Sequence, residues 1–395
     1  MRIVHQLRVE KPRSARTAGL WIVTAFTLAT LSAIAPNHSQ STPQPPNVIF
    51  DTDMYSDIDD MLALAALNTL QDRGEARLIG VTISSDAESI PSYVDLINTY
   101  YGHPNVPIGM IHGGITANTY NRKPFTDGPR PWMPNGMNYT QYFSRLRKKN
   151  GDLAYPHKLV DGRKAEDSVR LLRRLLAGQP DQSVIIIQVG FSTNMAHLLR
   201  SSADQFSQRD GKTLVKKKVR LLSLMGGNFA KADGNPAGDS QIEFNVSMDI
   251  PSSQELFENW PSPIVISGYE IGAKLLFPEK SIYTHFRYTH GNPIADTYRY
   301  LAPFYKAASG SPSAPHNHPL WDVTAVLFGV RSDDNYFGVS PPGKVIVLDN
   351  GSTRFDPDQG GLHRYLTMSE EQKPRALEAM EMLITEPPIR QAVEQ

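Results

Sequence analysis

Residues 47–67 read NVIFDTDMYSDIDDMLALAAL, and no other stretch of this 395-residue chain limits its fold so sharply. A short apolar run, Val48-Ile49-Phe50, leads directly into Asp51, Asp53, Asp57, Asp59 and Asp60, and then into an Ala/Leu-rich segment. The run reads as a buried strand. Met61, Leu62, Leu64, Ala65 and Leu67 supply the apolar face of a helix that should end near Gly74. Five carboxylates within ten positions repel one another unless something neutralises them. Asp59 and Asp60 can accept hydrogen bonds from free N–H groups at the helix start. Capping cannot account for all five, so the cluster predicts a bound cation. With no cysteine in the chain, its ligands must be oxygen or imidazole, and an oxygen-only set suits Ca²⁺ or Mg²⁺.

The same strand-then-helix rhythm continues. ARLIGVTI is a second strand, and SIPSYVDLINTYYG a helix with Pro91 in its first turn and Gly102 near its end. SVIIIQV (183–189), VRLLSLM (219–225), PIVIS (263–267) and KVIVLD (344–349) are further strands. Strands separated by helices predict an α/β fold, a mostly parallel, Rossmann-like open sheet flanked by helices. In such sheets ligands collect beyond the carboxyl ends of the strands, where the aspartates fall. Residues 110–150 break the rhythm. They are rich in Gly, Pro and Asn and carry Tyr120, Phe125, Trp132, Tyr139 and Tyr142, which favours an ordered lid beside a site over a surface excursion.

Composition fits a globular rather than a disordered chain, with 40% hydrophobic and 20% charged residues. Lys plus Arg equals Asp plus Glu at 40 each, which gives no case for nucleic-acid binding. The amino-terminal region differs. Arg2, Arg8, Lys11, Arg13 and Arg16 precede the apolar segment 18–35, and Ala33-Ile34-Ala35 has the small residues a signal peptidase reads. Residues 1–35 therefore read as a signal peptide, with a single membrane anchor as the rival because about 18 apolar residues can just span a bilayer. Residues 36–46 form a linker, residues 47–395 the catalytic domain, and the protein is expected to be exported.

The motif DTDMYSDIDDMLAL resembles the N-terminal signature of the inosine–uridine-preferring nucleoside hydrolase family. There Asp-x-Asp precedes a paired Asp-Asp and an Ala/Leu-rich helix. This chain carries two extra residues, Met54-Tyr55-Ser56-Asp57-Ile58 standing where the family has a Pro-Gly turn, so Asp57 is additional. The likeness continues in order through LIGVTISS, VGFSTNMAHLL (189–199), LLSLMGGNF, IEFNVSMD (242–249) and WDVTAVLFGV (321–330). It implies a Ca²⁺ held by Asp53, Asp60, the Thr193 carbonyl and Asp322, and Asp53 as the base that deprotonates an attacking water. It further implies Asp59, Glu243 and Asn245 as sugar ligands, Asp86 in place of a family amide, and Asn235 as the asparagine that precedes Glu-Phe-Asn. Asp51 and Asp57 would stand behind the ligands. Trp321 takes the place of a histidine that protonates the leaving base and would stack on that base instead, while His316 and His318 in APHNHP read as a solvated loop. The implied activity is hydrolysis of N-ribosyl bonds in nucleosides or related ribosides, and the implied assembly a homodimer or homotetramer. Two alternatives stand beside it. One is a haloacid-dehalogenase-type phosphatase using Asp51 and Asp53; the other is a calcium-binding protein of the same fold that binds ribosyl ligands without cleaving them.

Overall fold

Strand β1 (Asn47–Thr52) lies in the middle of the sheet, and its alternation divides the interior in two. Val48 and Phe50 join one apolar cluster, while Ile49 joins the other on the opposite face. The neighbouring β5 (Val184–Gln188) does the same, sending Ile185 and Ile187 one way and Val184 and Ile186 the other. Such continuous apolar strands suit a sheet covered on both faces, and each fully buried Ile or Phe contributes about 1.5–3 kcal/mol. The structure, a computed structural model, describes residues 44–54, 57–116, 138–230, 242–311 and 313–389. The signal or anchor segment and most of the linker lie outside them, as do Tyr55, Ser56, Asn235 and residues 117–137.

The remaining strands are β2 (Arg77–Asp86), β3 (Ile108–Thr116), β4 (Glu166–Asp167), β6 (Val219–Met225), β7 (Ile264–Ser267), β8 (Leu276–Phe277), β9 (His318–Pro319), β10 (Gly338–Val339), β11 (Gly343–Val347), β12 (Thr353–Pro357) and β13 (His363–Thr367). Among the described residues the main sheet runs β12-β11-β13-β7-β6-β5-β1-β2-β3-β4, with β10 on β13, and β8 pairs with β9 separately. Every pairing from β13 to β4 is parallel. The other end departs from the sequence expectation. The KVIVLD strand lies in β11, which is antiparallel to both β12 and β13.

Helix α1 (Asp59–Asp72) is buried almost all round because it packs against both α12 (Trp321–Val330) and α13 (Gln372–Thr385) as well as the sheet. It stops before Gly74, whose φ of 72° suits a glycine. Helix α2 is Ser89–Tyr100, α3 Tyr139–Arg145, α4 Ser168–Ala177, α5 Thr193–Arg200 and α6 Gly211–Lys218. Then follow α7 (Phe244–Met248), α8 (Ile250–Asn259), α9 (Tyr269–Gly272), α10 (Glu279–Thr284) and α11 (Pro293–Ala308). Leu171 of α4, Met195 of α5, Leu214 of α6 and Leu256 of α8 share the Ile49 cluster, on the face away from α1. Within 110–150, the described parts are the end of β3 and helix α3. Tyr139 on α3 donates through its hydroxyl to Asp57 O at 2.8 Å, and Tyr142 stacks on Tyr300 of α11.

Candidate active site and metal centre

The parallel strands β1, β5, β6 and β7 end side by side, and the residues just past or at their ends face one space. Asp53, Val189, Met225 and Tyr269 come from those four ends and line a cleft of about 480 Å³. Asp57, Asp59 and Asp60 enter it from the turn and first residues of α1, Asp322 from the start of α12, and Glu243 and Asn245 from the start of α7. Trp321, Phe304, Tyr305 and Phe244 complete an aromatic wall. Among the described residues that line it there is no lysine or arginine.

Hydrogen bonds fix several of the carboxylates. Asp60 accepts from the Thr52 hydroxyl and, at 3.2 Å, from Met54 N, so it ties α1 back to the end of β1. Asp59 Oδ2 accepts from Asp322 N at 3.3 Å, joining α1 to α12. Oxygens of Asp59, Asp60 and Asp322 lie within 4.8 Å of one another, close enough for one ion. Asp51 stands beside Thr82 in the β1–β2 register, and its Oδ2 accepts from Thr82 Oγ1 and Asn194 Nδ2, both at 2.6 Å. Glu243 caps α7 and takes three backbone donors, Asn245 N at 2.7 Å, Val246 N at 2.9 Å and Gly227 N at 3.1 Å. Gly227 has a φ of 69°, which glycine tolerates best.

Burial is the dominant electrostatic fact. Asp53, Asp59 and Asp60 are each 3% exposed and Asp322 4%. Desolvation, then repulsion from the neighbouring aspartates, pushes the carboxyls of Asp53, Asp59 and Asp322 well above the usual range. Burial raises Asp60 to about 7 against the opposing bond from Thr52, and raises Asp51 to about 7 against the bonds from Thr82 and Asn194. Asp57 behaves differently. Burial is the largest single effect and pushes it up too, but the pairing with His318 and the bonds from Ile58 N and the Tyr305 hydroxyl together outweigh it and hold its carboxyl below the usual value. A set of buried carboxylates raised by one another is a donor set that fits a hard divalent cation, which would restore their ionised form.

Several expected positions fall elsewhere. Asp57, expected behind the ligands, faces the cleft itself. Asp86 lies at the end of β2, where the β2–β3 ladder is irregular between Ile83 and Ser85. Its Oδ2 accepts from Gly113 N at 2.9 Å, and it lines a separate depression with His112 and Arg145. Thr193 opens α5, donates its hydroxyl to Asp249, and is not among the residues lining the cleft. Asp51 is wholly buried and absent from the cleft lining, so it cannot present a phosphatase nucleophile there. The expectation of a solvated APHNHP loop fails for His318. It is 2% exposed, because strand β9 pairs with β8 and carries it inward. Trp321 lines the cleft while stacked on Tyr269 at 5.4 Å, its indole N–H donating to Tyr269 O at 3.0 Å. Tyr269, Phe304 and Tyr305 escaped the sequence reading; Phe304 and Tyr305 belong to an amphipathic helix whose pattern does not separate core from cleft.

The sequence model of a family described as inosine-uridine preferring nucleoside hydrolase matches residues 48–380. No curated protein sequence matches the chain. Solved structures share its fold. A purine-preferring ribonucleoside hydrolase from Gardnerella vaginalis is 18% identical, covering 86% of this chain and 98% of that one with a TM-score of 0.61. An inosine-uridine preferring nucleoside hydrolase from Bacillus anthracis is 16% identical, covering 86% and 99% with a TM-score of 0.58. The type III effector protein XopQ, complexed with adenosine diphosphate ribose, is 16% identical, covering 87% and 96% with a TM-score of 0.59.

Proposed function

The chain belongs to the inosine-uridine preferring nucleoside hydrolase family, and from that premise we propose that it is an exported, Ca²⁺-dependent enzyme whose substrates are nucleosides or related ribosides. It is a hydrolase of N-glycosyl bonds by family; the cation and the residue roles are the inference. One observation carries them: Asp53, Asp59, Asp60 and Asp322 are buried around a single cleft whose described lining supplies no lysine or arginine. Asp53, Asp60 and Asp322 would hold the ion, with Asp59 beside them. When bound, it would neutralise these carboxylates, anchor ribose hydroxyls and lower the pKa of a water.

Asp53 takes the proton of the attacking water as the new C1′–O bond forms and the C1′–N bond breaks, its electron pair leaving with the base. The transition state gathers positive charge on the sugar, and the carboxylates around it favour that charge. Asp59 and Asn245 bind sugar hydroxyls, Asn245 being oriented by its bond from Nδ2 to Val189 O at 2.7 Å. Glu243, fixed by its three backbone donors, sits toward the 5′ end. Trp321 and Tyr269 offer flat faces to the leaving base.

The test is release of reducing sugar from inosine, uridine and nitrophenyl riboside, and release of adenine from ADP-ribose, the last because one structural relative holds it. Cleavage of at least one substrate, abolished by chelator and restored by Ca²⁺, is expected. Turnover indifferent to chelator would overturn the cation assignment, and none with any riboside would overturn the substrate class.

A further inference from the structure

The carboxylates of the cleft close around two points. Besides Asp59, Asp60 and Asp322, a second set made of Asp57, Asp59 and His318 brings one donor atom from each residue within 4.8 Å of the others. Asp59 belongs to both. The second set has what the first lacks, a nitrogen donor. Asp57 comes with the two extra residues by which the motif departs from the family signature it resembles.

His318 is the informative member. The side chain is nearly inaccessible, and Nε2 is ion-paired with Asp57 Oδ1 at 2.7 Å without hydrogen-bond geometry between them. Asp57 Oδ1 is instead the acceptor for Ile58 N at 2.7 Å and the Tyr305 hydroxyl at 3.1 Å. A buried imidazole nitrogen paired by charge with a carboxylate, but off the hydrogen-bond line, leaves the short bond that would stabilise the pair unmade. Donors that share a cation adopt that relation, because each points at the ion and not at the other. The far side of the ring is braced as a metal-binding histidine requires. His318 Nδ1 sits 2.9 Å from His316 Nε2, and the His316 ring is stacked on Tyr305 at 4.4 Å and 9°. His316 is anchored in turn by its N–H to Glu279 and by the Tyr298 hydroxyl on its carbonyl, both at 2.5 Å.

We propose that Asp57, Asp59 and His318 form a second cation site, taking a transition-metal ion of the Zn²⁺ class, with Asp59 shared between it and the all-oxygen cluster. Imidazole with carboxylates suits Zn²⁺ and its first-row neighbours, whereas Ca²⁺ and Mg²⁺ favour oxygen alone. The site goes beyond the hydrolase reading and meets it only through Asp59.

The test uses the full chain stripped of metal, with Ca²⁺ in excess to occupy the oxygen cluster, titrated with Co²⁺ alone. One equivalent should bind with a visible ligand-field band that Zn²⁺ displaces, and X-ray absorption of the Zn²⁺ form should show one imidazole. His318→Gln and Asp57→Asn should each weaken Co²⁺ binding at least a hundredfold while Ca²⁺ still binds by calorimetry. Asp322→Asn should do the reverse, losing Ca²⁺ and keeping the Co²⁺ band. Asp57 is partly exposed, so Asp57→Asn decides the matter if His318→Gln does not fold. No Co²⁺ binding beside intact Ca²⁺ binding would leave His318 and Asp57 a plain ion pair and overturn the second site without touching the first. A Co²⁺ band that survives in His318→Gln and Asp57→Asn but vanishes in Asp322→Asn would overturn it equally.

Discussion

Gly190, in the turn after β5, packs directly against the end of β1. A Cβ added there would lie 2.5 Å from Asp53 N and 2.7 Å from Thr52 C, both backbone atoms that no rotamer change can move aside. Ordinary contact begins at 3.4 Å, so Gly190→Ala requires a separation of about 0.9 Å between the two strand ends. Overpacking of this kind costs about 1–3 kcal/mol of stability. The larger effect falls on Asp53, because a displacement near 1 Å of a catalytic group is worth about a hundredfold in rate. Gly178→Ala is the matched control. Gly178 has a φ of −78° at the end of α4, and its added Cβ would meet only carbonyl oxygens at 3.6 and 3.7 Å. Thermal melts and kcat/KM for ribose release from the best nucleoside should therefore show Gly190→Ala destabilised and about a hundredfold slower. Gly178→Ala should match the wild type or be slightly more stable. A Gly190→Ala enzyme with unaltered stability and rate would refute the argument that the β5 turn sets the position of Asp53.

Other expectations concern acid stability and the aromatic wall. His363 is buried on β13 with Nδ1 accepting from Val345 N at 2.9 Å, and burial, then Lys344, lowers it from 6.5 to about 4. Its folded value lies below its unfolded one, so the stability tied to the neutral ring is full above pH 6.5 and is lost as pH falls through 4. The amount is on the order of 3 kcal/mol. Urea melts between pH 7 and 4 should show this decline, and His363→Gln should flatten it; an equal slope in both proteins would remove His363 as the cause. Trp321→Ala should raise KM for purine and pyrimidine nucleosides about tenfold with a smaller change in kcat, as loss of base stacking requires. A fall in kcat with KM unchanged would mean the indole acts on the chemical step instead.

The β1–α1 unit was legible because its signals are local: an apolar run, a carboxylate cluster, then helical spacing, all within residues 47–72. VRLLSLM was legible to the residue as β6 for the same reason. Strand direction is not a local property. Nothing within KVIVLD distinguishes the antiparallel β11 from the parallel strands, since the difference lies in which neighbours it meets. Asp86 was misplaced by analogy of position, because the irregular β2–β3 ladder carries the end of β2 to a separate depression. The inward turn of His318 depends on pairing between β8 and β9, and its partner Asp57 is remote in sequence. Phe304 and Tyr305 share one helix with wholly buried Tyr298, so spacing alone could not say which aromatics face the cleft.

The central claim is that one hard cation held by the buried carboxylates is what makes the cleft a catalyst. Calorimetric titration of Ca²⁺ into the metal-stripped enzyme, with ribose release followed in the same samples, tests it most directly. The wild type should take up a single equivalent of Ca²⁺ and gain activity in step with occupancy. Asp53→Ala and Asp322→Ala should lose both together, since each removes a ligand from the same ion. Full Ca²⁺ uptake in either variant, or full activity in the metal-stripped wild type, would contradict the account.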